Sequence, residues 1–118
     1  MRDGRNYVIV NTTVGKAEEA KDLACRIVAE RLAACAQYMP ISSVYWWKGK
    51  MESASEFLLL AKTRSSLAAK LVAFIRQHHS YELPEILVTP IQGGLGDYLS
   101  WVQSETKKAA TKSRKARR

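Results

Sequence analysis

Residues 33–62 carry the pattern that decides the fold, and they read AACAQYMPISSVYWWKGKMESASEFLLLAK. Aromatic, β-branched and other apolar residues dominate both halves of this segment, as is typical of β-strands. A short polar sequence that contains a glycine, Lys48-Gly49-Lys50, separates the halves and favours a tight turn. The segment therefore predicts a long antiparallel hairpin with arms 33–47 and 51–62, and with a kink or bulge at Pro40.

The sequence before the hairpin predicts one strand and one helix. Tyr7-Val8-Ile9-Val10 is a short apolar run between two asparagines, as expected for a strand that is buried on both faces. We expect a loop at 12–15, in which a threonine caps the helix that follows from Lys16 to about Arg31. That helix is amphipathic, because its apolar residues recur at three- and four-residue spacing: Ala20, Leu23, Ala24, Ile27 and Val28.

The sequence after the hairpin predicts two helices and one strand. They are a helix from about Ser65 to Gln77, a strand at Ile86–Ile91, a turn-rich loop at 92–96 and a helix from Asp97 to about Lys107. Thr63 and Asp97 are the expected N-caps of the two helices. The first of these helices is expected to bury Leu67, Leu71, Phe74, Ile75 and His78.

The resulting order is β-α-β-β-α-β with an additional C-terminal helix. This order predicts an α+β fold, the ferredoxin-like split β-α-β sandwich, over residues 7–106. We expect residues 1–6 to be flexible. The hairpin arms are long for this fold, and an arm that extends beyond its own sheet exposes unpaired backbone that can pair with another subunit. The sequence thus predicts an oligomer.

Length, composition and charge fit one ordinary domain with a basic tail. The chain has 118 residues, of which 47% are hydrophobic and 25% charged, which excludes a disordered chain and a disulfide scaffold. The net charge is +8, but seven of the 19 Lys and Arg residues lie in 107–118 with no acidic residue, which leaves 12 against 11 Asp and Glu elsewhere. We expect a disordered tail that either improves solubility or contacts nucleic acid or another anionic partner, with any nucleic-acid binding confined to the tail.

Several further patterns predict a cytoplasmic, non-enzymatic protein. No apolar run approaches the roughly 20 residues of a membrane helix, and the polar N-terminus lacks the apolar region of a signal peptide. Cys25 and Cys35 show no metal or redox spacing, so we expect both to be reduced and buried. The sequence contains no Gly-x-Ser-x-Gly, no Gly-x-x-x-x-Gly-Lys and no His-Glu-x-x-His, the common signatures of hydrolases, nucleotide-binding loops and zinc proteases.

Two pairs of adjacent residues are candidates for function. His78 and His79 could bind copper or zinc together with a nearby carboxylate, or alternatively one could pack and the other cap the end of its helix. Trp46 and Trp47 are expected to face opposite sides of the hairpin. The outward tryptophan would cover a partner subunit, line a cleft or, beside two lysines, stack on a nucleobase.

Four motifs in order resemble the CutA divalent-cation tolerance proteins over residues 8–102. They are ERLAAC at 30–35, VYWWKGK at 44–50, EFLLLAKT at 56–63 and HSYELPEI at 79–86, and Tyr98-Leu99-x-Trp101 is similar too. The resemblance implies a tightly intertwined homotrimer with the architecture of PII-type signalling proteins. It also implies a link to tolerance of copper and other divalent metals, with no established reaction and no cofactor required for folding.

The resemblance implies a set of candidate residues as well. In some members, tandem histidines and a cysteine at the end of the first strand are the proposed copper ligands; here they correspond to His78, His79 and Asn11, and Ser80 replaces the usual proline. The candidate metal ligands are His78, His79, Cys35 and Glu82, with Cu(II) as the first ion to test. The candidate cleft or interface residues are Trp46, Trp47, Lys62, Tyr81, Glu85 and Trp101.

Two functions stay open at this point. One is a metal-binding tolerance protein that uses the tandem histidines. The other is a non-enzymatic, PII-like signalling or scaffold trimer whose inter-subunit clefts bind a small molecule or a partner protein.

Overall fold

The computed structural model describes residues 1–107, and its main elements follow the predicted order. Its strands and α-helices are β1 (Arg2–Asp3), β2 (Tyr7–Val14), α1 (Ala17–Ala29), β3 (Cys35–Trp47), β4 (Lys50–Arg64), α2 (Ala68–His78), β5 (Ile86–Pro90), β6 (Gly93–Gly94) and α3 (Gly96–Glu105). Two short strands that were not predicted, β1 and β6, are added, and a 3-10 helix at Ser65–Leu67 precedes α2. The tail at 107–118 was predicted to be disordered. Beyond Lys107 it lies outside the described residues. None of the helices in the described part is both long and apolar enough to cross a membrane.

The main sheet has four antiparallel strands in the order β3-β4-β2-β5. This is the strand order of a ferredoxin-like fold, and the predicted α+β class is confirmed. Helices α1 and α2 pack on one face of the sheet and form the main core with it. Its fully buried members include Val10, Ile27, Leu59, Leu71 and Ile75.

The opposite face of the sheet remains largely open. Since side chains alternate along a strand, the strand register points six apolar residues away from the main core: Ile9, Met39, Ile41, Leu58, Leu60 and Leu87. All six are half-buried or exposed in the single subunit. Helix α3 covers only one end of this face, where Leu99 and Val102 pack against Tyr7. We call the six residues the open face.

The predicted hairpin is confirmed and projects beyond the sheet. Strand β2 stops pairing with β4 at Val14 and Phe57, so residues 41–47 and 50–56 pair only with each other. Both turn residues have positive φ, Lys48 at 50° and Gly49 at 81°, which matches the twist of a tight hairpin turn. We call residues 41–56 the projecting hairpin.

The predicted bulge at Pro40 is wrong. The pairing register runs without interruption through Pro40 and Phe57, so β3 is one continuous strand. Because β3 is an edge strand, a missing backbone N–H can face solvent without breaking the ladder.

Other local predictions also differ from the structure. Strand β2 continues through the expected loop to Val14, with Thr12 and Thr13 buried in it. Neither threonine caps α1, whose N-cap residue is Lys16. Thr63 caps no helix because its hydroxyl donates to the carbonyl oxygen of Leu32 at 2.7 Å. The polar side chains thus bond to distant strands and loops instead of to the helix that follows them.

Three further positions correct the sequence analysis. Asp97 lies in the first turn of α3 and is not its cap, which is Leu95. His78 is exposed although it was expected to be buried, and so is Cys25. The N-terminal residues include β1, which pairs with β6. A Cβ atom at Gly93 would lie 2.8 Å from the carbonyl oxygen of Arg2, so this pairing requires the glycine.

Candidate functional site

A cleft of about 600 Å³ lies where the projecting hairpin meets the loop that links α2 and β5. Four aromatic side chains line it: Tyr45, Trp46, Trp47 and Tyr81. Three carboxylates also line it: Glu56, Glu82 and Glu85. Among the described residues that line the cleft there is no Lys, Arg or His. We call it the aromatic-acidic cleft.

One carboxylate of the cleft is buried and hydrogen-bonded to a tyrosine. Glu56 is only 7% exposed, and the hydroxyl of Tyr81 donates to its Oε1 at 3.0 Å. Burial, followed by this hydrogen bond to Glu56, raises the pKa of Tyr81 to about 12. Tyr81 therefore remains a neutral hydrogen-bond donor at physiological pH.

A second carboxylate of the cleft is held by an amide. The Nδ2 of Asn11 donates to Oε2 of Glu85 at 2.8 Å. Asn11 is the residue that corresponds to the cysteine of some family members. Here it orients a carboxylate at the edge of the cleft, which a thiol would do only weakly.

His79 connects the end of α2 to strand β2. Its Nδ1 accepts the backbone N–H of Tyr81 at 3.0 Å, so its Nε2 carries the proton. That Nε2 lies 2.9 Å from the carbonyl oxygen of Thr13 and 3.1 Å from Oγ1 of Thr12. Both ring nitrogens are thus used inside the protein, and a metal could bind His79 only if one of these contacts broke.

His78 is in a different situation. It is exposed, and its Nδ1 lies 2.9 Å from the carbonyl oxygen of Phe74, one helical turn earlier. An Nδ1–H that donates to this carbonyl leaves Nε2 as the nitrogen with a lone pair. His78 therefore has the arrangement of a typical metal-binding imidazole, in which one ring nitrogen donates to a carbonyl oxygen and the other is available.

Cys35 and the tandem histidines lie near different ends of the sheet. Cys35 is opposite Lys62, which pairs with Ile9, whereas His79 contacts Thr12 and Thr13. The three or four residue steps along β2 from Ile9 to Thr12 and Thr13 span roughly 10–13 Å, far more than a shared metal ion allows. Within residues 1–107, no group of three or more His, Cys, Asp and Glu side chains is placed to hold a metal ion. The four candidate metal ligands are therefore not brought together in one subunit.

The remaining candidates divide between two regions. Trp46, Trp47, Tyr81, Glu82 and Glu85 line the aromatic-acidic cleft. Lys62 and Trp101 do not line it, because Lys62 donates to Gln37 on the neighbouring strand and Trp101 stacks on Tyr98 with ring centroids 5.5 Å apart. Burial raises the pKa of Tyr98, and the nearby Cys35 raises it further. Because Trp101 also contacts Tyr98, Trp101 and Cys35 lie in one neighbourhood.

Sequence reasoning missed Glu56 and Tyr45 as cleft residues. Glu56 pairs across the hairpin with Ile41 and directly precedes the apolar run of β4. A glutamate at such a position is ordinarily read as exposed, and its contact with Tyr81 spans 25 residues of sequence. The one available signal was the length of the hairpin, which places Glu56 beyond the end of β2.

Comparison with known proteins agrees with the motif resemblance. Residues 8–105 match the family model of the CutA1 divalent ion tolerance proteins. The chain is 45% identical over 101 residues to the chloroplastic protein CutA of Arabidopsis thaliana, covering 85% of this chain and 56% of that protein. It is 39% identical over 100 residues to the divalent-cation tolerance protein CutA of Yersinia pestis, covering 84% of each. The chain thus spans little more than half the length of the plant relative.

Solved structures of relatives have the same fold. CutA1 from Oryza sativa aligns with a TM-score of 0.85 at 41% identity, covering 88% of this chain and 96% of that one. The periplasmic divalent cation tolerance protein CutA from Archaeoglobus fulgidus aligns with a TM-score of 0.83 at 37% identity, covering 86% and 99%. With a family model matched from β2 to the end of α3 and relatives this similar, the chain belongs to the CutA1 divalent ion tolerance family.

Proposed function

We propose that this protein acts in divalent-cation tolerance as a non-enzymatic homotrimer that binds divalent metal ions weakly, with Cu(II) bound most strongly. The proposal rests on membership of the family and, in this structure, on the exposed imidazole of His78. The cytoplasmic location inferred from the N-terminal sequence stays a prediction, since one relative is described as chloroplastic and another as periplasmic.

The geometry of His78 supports metal binding of modest strength. Its ring is oriented by the carbonyl oxygen of Phe74, and the nitrogen left with a lone pair belongs to an exposed side chain. Copper leads the divalent series for nitrogen ligands, so Cu(II) is the ion that this imidazole favours. A single oriented imidazole without a cluster of further ligands gives weak binding, and folding does not require the ion.

The open face supports assembly into an oligomer. Six apolar side chains occupy it, including Leu87 at 56% and Met39 at 44% exposure. A sheet face that carries this many exposed apolar side chains favours a protein–protein interface over a free surface. The projecting hairpin adds strand edges that no other strand within residues 1–107 covers. The proposed number of subunits, three, is inferred from the resemblance to the family.

Calorimetric titration with Cu(II) tests the metal-binding part. We expect His78→Ala to weaken Cu(II) binding by at least about tenfold, because it removes the oriented nitrogen. His79→Gln is the control, since it changes the neighbouring imidazole whose nitrogens are already bonded. If His78→Ala binds Cu(II) as tightly as the wild type, the metal-binding proposal is wrong.

The aromatic-acidic cleft supports a second candidate function, a PII-like signalling or scaffold trimer that binds a small molecule. Its volume of about 600 Å³ lies within the range of small-molecule sites in proteins. Neither the tandem histidines nor Cys35 lines it, and Glu82 is the one candidate metal ligand that does, so its ligand would not depend on the histidines. An unchanged Cu(II) affinity in His78→Ala would favour this second function.

A further inference from the structure

We propose that the aromatic-acidic cleft binds a small organic cation, namely an alkylammonium ion. This inference gives a chemical class to the ligand of the second candidate function and rests on that function, but it does not depend on metal binding. The argument uses the charges, the aromatic rings and the volume of the cleft.

The charges of the cleft favour a cationic ligand. Its lining contains three carboxylates and, among the described residues, no basic side chain. Glu56 as a whole residue is only 7% exposed, and the one hydrogen-bond donor to its carboxylate within residues 1–107 is the uncharged hydroxyl of Tyr81. The salt bridges of the described residues do not include Glu56. A buried carboxylate without a cationic partner is costly, and a bound cation offsets that cost.

The aromatic rings select an organic cation with a soft, weakly hydrated charge. An ammonium group is attracted to the face of Trp or Tyr, and binding sites for quaternary ammonium ions are commonly built from such rings. Lys48 already places its Nζ 5.4 Å from the ring centroid of Trp47. Tyr45, Trp46 and Tyr81 remain as the other rings, and Trp46 is 73% exposed.

The dimensions of the cleft argue against an inorganic ion as its ligand. The carboxylates of Glu56, Glu82 and Glu85 form no group of three placed to hold a metal ion. A volume of about 600 Å³ would remain largely empty around one metal ion. An alkylammonium ion can meet the buried carboxylate with its charged end and the aromatic rings with its carbon atoms.

Calorimetric titration of the full chain with choline tests the proposal. The matched probe is the uncharged carbon analogue of choline, in which carbon replaces the quaternary nitrogen without a change of shape. We expect choline to bind with a dissociation constant of about 1 mM or lower, and at least about tenfold more tightly than the analogue. Equal binding of the two probes, or no binding of choline up to about 10 mM, would overturn the proposal.

Two substitutions locate the binding. Glu56→Gln should weaken choline binding about tenfold, because the amide oxygen still accepts from Tyr81 but the charge is gone. Glu18→Gln, at an exposed glutamate in the first turn of α1, is the control and should bind choline as the wild type does. If Glu56→Gln misfolds, Trp46→Leu replaces it with the same expected loss. Unchanged choline binding in the folded variant would contradict the assignment. A changed assembly mass in Glu56→Gln together with no choline binding would also contradict it, because a neighbouring subunit would then fill the cleft.

Discussion

Leu60→Glu is expected to dissociate the proposed oligomer and to raise its dissociation constant by roughly two to four orders of magnitude. Leu60 lies on the open face, opposite Asn11 on one neighbouring strand and Gln37 on the other. If this face is the subunit interface, the substitution buries an uncompensated charge there, which costs roughly 3–5 kcal/mol. Analytical ultracentrifugation over a range of concentrations would measure the change.

Val28→Glu is the matched control for Leu60→Glu. Val28 is also apolar and partly exposed, at 39%, but it lies on α1, on the other side of the sheet. It should therefore assemble as the wild type does. If Leu60→Glu assembles as well as Val28→Glu, the open face is not the interface.

Leu59→Ala is expected to lower the melting temperature by roughly 10–20 °C. Leu59 neighbours Leu60 in the sequence but is fully buried in the core beneath α1 and α2. Removal of a fully buried leucine side chain costs roughly 2–5 kcal/mol, and at this chain length each kcal/mol corresponds to about 4 °C. Leu95→Ala, at a leucine that is 71% exposed, is the control and should melt close to the wild type. A drop of less than a few degrees in Leu59→Ala would contradict the assignment of the two faces of β4.

The two neighbouring leucines show what a sequence of this kind can and cannot predict. The run Glu56-Phe57-Leu58-Leu59-Leu60 predicts a strand, but it is apolar on both faces and so does not indicate which face packs against helices. The register with β2 decides this, because it aligns Leu59 with Thr12 and Leu60 with Asn11. Register depends on tertiary contacts, which a single sequence does not display.

Hydrophobic periodicity predicted the helices and strands well, whereas polar side chains were predicted poorly. Thr63 bonds the carbonyl oxygen of Leu32 and does not cap a helix. Thr12 lies 3.1 Å from Nε2 of His79, from which it is separated by 67 residues of sequence. Periodicity reports which face of an element is apolar, but the partner of a polar group is set by which distant elements the fold brings together.

The same limit explains the partial prediction of the candidate site. Four candidate cleft or interface residues from the motifs line the cleft, namely Trp46, Trp47, Tyr81 and Glu85. Glu82 lines it too, although the sequence analysis had proposed it as a metal ligand. The sequence analysis grouped Cys35 with the histidines among the candidate metal ligands. The strand register separates them, and no spacing in the sequence could have shown that distance.

The central claim is that the protein forms a homotrimer through the open face and the projecting hairpin. The mass of the wild-type assembly at micromolar concentration tests this claim most directly. The full chain has a mass of 13.3 kDa, so three copies have about 40 kDa. Sedimentation equilibrium should give about 40 kDa for the wild type at every concentration in this range. A mass of 13.3 kDa, that of the single chain, would contradict the account.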